Sequence, residues 1–181
     1  MDVRRVVTGN DVDGRAVFVS DEVVNPITIS LMPGGEFHDV WGADDVPTVP
    51  TSGPPPRAAT WFPPAGGFRF GFFTVGPQSS RPLDVDPAAA FAEMEEKLPG
   101  LAATLERDHP GMHTTDTVDW DLVISGEVWL ELDDGKEVLL RAGDCVIQNG
   151  TRHAWHNRSS EPCVVAVAIV GARRVRRARE A

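Results

Sequence analysis

Residues 111–127 read GMHTTDTVDWDLVISGE. The second half alternates as a β-strand does, yet its run-in carries His113, Asp116, Asp119 and Asp121. An exposed sheet edge would account for polar residues there. A pocket holding a cation accounts for them better, provided that another part of the chain supplies the remaining donors. Side chains two apart on a strand share a face, so His113, Thr115 and Asp119 are expected to point the same way.

The complementary stretch lies further on. Residues 142–157, AGDCVIQNGTRHAWHN, place His153, Trp155 and Asn157 at alternate positions, with His156 on the opposite face and therefore expected at the surface. Two imidazoles and one carboxylate, His113, His153 and Asp119, then converge from distant β-segments. That donor set suits Fe(II), and also Mn, Ni, Co or Zn, and leaves coordination positions open for a substrate oxygen or O₂.

Together the two stretches resemble the cupin family, whose first motif reads G-x5-H-x-H-x3-4-E-x6-G and whose second reads G-x5-P-x-G-x2-H-x3-N. His113, Asp119 and Gly126 match the first motif, with Thr115 where the second histidine stands and Asp in place of Glu. Gly143, Gly150, His153 and Asn157 match the second, with Gln148-Asn149 where proline falls. The resemblance implies a mainly β fold, the cupin jelly-roll barrel or double-stranded β-helix. It also implies a divalent metal ion held by His113, Asp119 and His153. Thr115, Trp155 and Asn157 would then line the substrate pocket, and His109 or Asp121 would move the proton.

The implied activity is that of a metal-dependent small cupin enzyme acting on a small oxygenated organic molecule. Lyase or isomerase chemistry, such as decarboxylation or dehydration with a Lewis-acid metal, is the leading expectation. An Fe(II)-dependent dioxygenase and a non-catalytic ligand-binding cupin are the alternatives.

The rest of the chain is consistent with many short strands. There are 181 residues with 17 Gly and 15 Pro, a proportion that favours strands joined by turns. Residues 1–85 should hold extra N-terminal strands (VRRVVT, RAVFVS, NPITISLM, ATWFPP and GGFRFGFFTV) and a Pro-rich loop from Pro47 through Pro56. Residues 86–106 should be helical, with Asp86 as N-cap, Pro87 at the first position, a stripe of Phe91, Met94 and Leu98, and a break at Pro99-Gly100. Residues 107–172 form the barrel core, and 173–181 a basic tail expected to be solvated.

A net charge of −10 argues against nucleic acid and anionic membranes as partners. No stretch is long and apolar enough for a signal peptide or a membrane span, which leads to a soluble, cytoplasmic expectation. Cys145 and Cys163 each sit in an apolar run and are expected to be buried, reduced thiols. The surplus N-terminal strands suggest sheet extension or pairing with a second copy, hence a homodimer.

Overall fold

The computed structural model describes residues 1–51, 53, 58–80 and 85–175. Among these residues ten strands and one α-helix follow in order: β1 (Val3–Asn10), β2 (Ala16–Val24), β3 (Glu36–Ala43), β4 (Phe68–Val75), α1 (Pro87–Lys97), β5 (Thr117–Ser125), β6 (Glu127–Glu131), β7 (Glu137–Arg141), β8 (Cys145–Gln148), β9 (Ala154–His156) and β10 (Cys163–Gly171). The mainly β jelly roll is as the motifs imply. A five-stranded sheet in the order β3-β4-β10-β5-β8 faces a three-stranded sheet β7-β6-β9, and β1-β2 form a separate ribbon.

Sequence alternation explains why the large sheet has a wet side and a dry one. In β10, CVVAVAIVG, every second residue from Cys163 to Gly171 is buried while Val164, Ala166, Ala168 and Val170 face outward. In β5, Thr117, Asp119, Asp121 and Val123 face inward and Val118, Trp120, Leu122 and Ile124 outward. The inward apolar residues Val123, Val128, Leu130, Leu140, Cys163 and Val165 form one core between the two sheets. The turn from β5 to β6 needs Gly126: its φ is +76°, and a Cβ there would lie 2.6 Å from the Pro162 carbonyl oxygen.

A second core flanks the first. Met94 and Leu98 of α1 pack with Ile29 and Leu101, joined by Ile27, Leu31, Met32, Phe37, Trp61, Phe62 and Leu105. The helix begins as expected, with Asp86 accepting from the Ala88 amide at 3.1 Å and Pro87 in the first turn. It ends at Lys97, and only a 3₁₀ turn, Ala102–Thr104, continues it. Ala90, not Phe91, shares the buried face with Met94, because i and i+4 lie closer to one line than i and i+3; Phe91 is exposed.

Two expected strands are absent. NPITISLM makes a single bridge, Ile27 to Phe37, and then turns, since its apolar side chains are taken up by α1 instead of by a sheet. ATWFPP is held as an irregular segment by Arg69, which donates to the carbonyls of Ala43, Phe68 and Thr60 and pairs with Asp44. GGEFHDVW, conversely, supplies β3. The Pro47–Pro56 loop falls partly outside the described residues, as does most of the basic tail.

Arg174, however, is docked: it pairs with Asp116 and donates to the carbonyl oxygens of Thr115 at 2.6 Å and Gly150 at 3.0 Å. It thereby ties the two motif loops together. Among the described residues no helix is long and apolar enough to cross a membrane.

Candidate functional site

His113 precedes β5 and His153 precedes β9, and the two residues form an isolated antiparallel bridge. The His113 amide donates to the His153 carbonyl at 2.9 Å and the reverse bond is 3.0 Å. This pairing brings the two motifs together at the backbone and sets the imidazole centroids 4.2 Å apart. Each ring is oriented in the same way. His113 Nδ1 lies 3.0 Å from the Gly111 carbonyl and His153 Nδ1 lies 2.9 Å from that of Thr151. A carbonyl can only accept, so both rings carry their proton on Nδ1 and keep the Nε2 lone pair free.

Asp119 and Asp121 face the same cavity from the inner side of β5. They are 7% and 5% exposed, and Asp119 Oδ1 and Asp121 Oδ2 have no hydrogen-bond partner. Burial pushes the Asp119 carboxyl up to about 6, with the Thr117 hydroxyl partly opposing. Burial, and then the neighbouring Asp119, push Asp121 up to about 8. Burial likewise lowers His113, and burial plus the adjacent His113 lower His153 to about 4, so both imidazoles are held neutral. Buried polar atoms in folded proteins are nearly always paired, so two orphaned carboxylate oxygens beside two free imidazole nitrogens need a missing partner. A divalent cation is one partner that would suit such a donor set, were the side chains to close on it.

The cavity encloses about 430 Å³. Its far wall comes from the second core, including Leu31, Phe37, Trp61, Phe62 and Leu105. Trp155 lines it as expected, edge-on to His153 at 5.9 Å and packed on Phe73 at 5.7 Å.

Other expected positions differ. Thr115 is buried but is not part of the cavity wall; it accepts from the Thr117 hydroxyl at 2.8 Å, because the chain bends between His113 and β5 and breaks the alternation. Asn157 reaches the wall, yet its amide is committed elsewhere. It donates to the carbonyls of Val75 and Glu161 and accepts from Ser159, so it fixes the turn into β10. His109 lies in an exposed turn off the cavity, where its carbonyl accepts from the Met112 amide.

His156, expected at the surface, is half-buried and lines the cavity. Its Nε2 is 2.6 Å from Glu131 and its Nδ1 3.4 Å from the Gln78 amide nitrogen. The three-residue β9 is too short to impose alternation on it.

Among the described residues, the trio whose donor atoms all lie within 4.8 Å of one another is Glu131, Glu137 and His156; His113, Asp119 and His153 do not meet that distance. The tighter trio is nevertheless already satisfied. His156 is bonded to Glu131, and Arg158 clamps Glu137 with both guanidinium nitrogens, holding its carboxyl below the usual range. The looser set, buried and unpaired, is the one with unmet bonding capacity. Its wider spacing fits the exchange of Glu for Asp, whose carboxylate reaches one methylene less.

Residues 104–170 match the family model described as the cupin domain. That segment is a cupin domain. The matched segment contains every candidate ligand, whereas Phe37, Trp61 and Phe62 of the wall lie before it. A phomopsin biosynthesis cluster protein C′ of Diaporthe leptostromiformis is 46% identical over 48 residues, 26% of this chain and 25% of that protein. The cupin-domain-containing oxidoreductase srdB of Neurospora crassa is 29% identical over 157 residues, 87% of this chain and 67% of that protein. The chain thus aligns with about a quarter of the length of the phomopsin relative. Among solved structures, the Cnp3 cupin domain of Schizosaccharomyces pombe superposes with a TM-score of 0.48 at 7% identity, over 93% of this chain and 87% of that one.

Proposed function

We propose that this cupin is a metal-dependent enzyme acting on a small oxygenated organic molecule, with His113, His153 and Asp119 as the ligand set. The observation that carries the reading is the pair of imidazoles with Nε2 left free, set beside buried carboxylates with unpaired oxygens in one apolar cavity. A divalent ion bound there would supply Lewis-acid polarisation, or oxygen chemistry if it is iron.

The chain's own groups do the remainder. Trp61, Phe62 and Leu105 keep bulk water from the reacting end of the substrate. Asp121, two residues along β5 from Asp119, is placed to take or give a proton within the cavity. His109 has no part in this, being off the wall.

Two chemistries remain in play. The name of the Neurospora relative, which aligns over most of this chain, favours an oxidation with O₂ as co-reactant. The position of Asp121 supports a proton-transfer reaction of lyase or isomerase type as the second reading. The test is metal content by plasma mass spectrometry, followed by oxygen uptake with Fe(II) and candidate substrates. Near-stoichiometric metal in the wild type, lost in His153→Ala and kept in His156→Ala, supports the enzyme reading. Wild type without metal after exposure to Fe, Mn, Ni, Co and Zn leaves a ligand-binding module.

A further inference from the structure

Two parts of the chain build the cavity. Its polar end comes from the histidine loops and β5, within residues 104–170, whereas Leu31, Phe37, Trp61, Phe62 and Leu101 of its apolar wall lie before that segment. The wall is held from behind. Phe37 and Ile27 exchange both backbone hydrogen bonds, at 2.7 and 2.9 Å, and the Trp61 amide donates to the Pro99 carbonyl at 2.8 Å. Arg69 donates to the Thr60 carbonyl at 2.9 Å, and the Thr60 hydroxyl to that of Phe62 at 2.7 Å. The Phe37 and Trp61 rings meet edge to face at 5.5 Å, and Phe73 with Trp155 adds a second aromatic pair at 5.7 Å. A wall pinned in this way stands off the histidines and leaves about 430 Å³, within the range that encloses a drug-sized ligand. A molecule of a few carbons would leave most of those apolar side chains without contacts.

We infer that the substrate carries a bulky apolar body, bicyclic or larger, and that Trp61 and Phe62 select it, the oxygenated group being its smaller end. The inference rests on the reading of this cavity as the substrate site and is independent of what occupies the histidine end. The body lies against the wall built by residues before the cupin segment, where a charged or strongly hydrated group would be buried without a partner. Because the wall is already in place, little ordering opposes binding, and the apolar area removed from water sets the affinity. Shortening Trp61 leaves a gap in place of a contact, since its backbone stays bonded to Pro99.

The test uses uncharged probes on the full chain, both metal-stripped and metal-loaded. N-phenyl-1-naphthylamine, which brightens in apolar surroundings, is titrated by fluorescence and then displaced by naphthalene or by toluene. The expected result is saturable binding at one site per chain in both preparations, with naphthalene displacing at concentrations at least about tenfold below toluene. Trp61→Ala should weaken the fluorophore by about tenfold or more, and Trp61→Leu, which keeps the wall apolar, by less. Ile147→Glu, on the outer face of the large sheet, should leave its affinity unchanged. Circular dichroism checks that each variant is folded, and the naphthalene-to-toluene ratio of the wild type stands without any variant. Four results overturn the inference: no saturable binding, displacement by toluene as good as by naphthalene, full affinity in folded Trp61→Ala, or an affinity lost in Ile147→Glu. A chain that holds no ion yet binds the fluorophore as expected refutes the metal reading and leaves this one standing. A chain that holds an ion and fails to bind the fluorophore does the reverse.

Discussion

At His113 and His153 the same local device recurs: each ring gives its Nδ1 proton to a carbonyl two residues earlier in the chain. The motif spacing identified both histidines, and with them Asp119 and Asp121, because donor type and interval are visible in letters. It missed what depends on where a strand stops. His156 reaches the cavity because β9 ends on it, and Thr115 misses it because β5 has not yet begun. Asn157 matched its motif position but serves four bonds to Val75, Ser159 and Glu161. Its replacement by Ala should therefore cost about 2 kcal/mol of stability in a denaturant titration, without changing which metal is bound.

The cysteines also divide. Cys163 is fully buried, and burial together with Glu127 pushes its thiol up to about 11, whereas Cys145 is exposed on the outer face of β8, contrary to the expectation for both. Iodoacetamide at pH 8 should modify one thiol of two by mass, at Cys145. A thiol raised from 9.0 to about 11 contributes stability that is present below pH 9 and lost as pH rises through 11. Cys163 should thus become reactive only as the protein unfolds in strong alkali.

Among the elements, the six strands after residue 112 and the start of α1 were readable, since alternation and capping are local signals. The wall from residues 27–62 was not. Its apolar side chains show no period because the segment is shaped by contacts with a helix some sixty residues later, such as Ser30 with Glu93 and the Thr28 carbonyl with Lys97. Arg69 is the pin of that wall, satisfying three carbonyls and Asp44 while the Trp61 amide donates to Pro99. Arg69→Ala should cost about 3 kcal/mol, seen as a lower denaturation midpoint, because several buried acceptors lose their donor together. Trp61 fluorescence should shift to the red as its segment loosens.

For the whole molecule, the outer face of the large sheet is the feature left unpartnered among the described residues. Phe70, Trp120, Leu122, Ile124 and Ile147 are exposed on it, with Trp120 at 50% and Ile147 at 53%, and Ala166 and Ala168 of β10 lie between them. The patch carries no charge, although the chain as a whole is at −10, so two copies can meet here without repulsion while the rest of the surface keeps them apart elsewhere. A homodimer closed across this face is the expected state, not one built on β1-β2, whose outward side mixes Arg4 and Asp21 with Phe18. Sedimentation at micromolar concentration should give a dimer, and Trp120→Glu a folded monomer. A wild-type monomer removes the expectation.

The centre remains the four side chains on which the two motifs converge. Anomalous diffraction, recorded at the absorption edge of a divalent metal bound to the crystalline protein, locates an ion without assumption about the chemistry. The account predicts one peak about 2.0–2.2 Å from His113 Nε2, His153 Nε2 and a carboxylate oxygen of Asp119, with the three side chains drawn together from their wider spacing in the metal-free chain. A peak seated instead among Glu131, Glu137 and His156, or density at neither place in crystals soaked with Fe(II) and Zn(II), contradicts it.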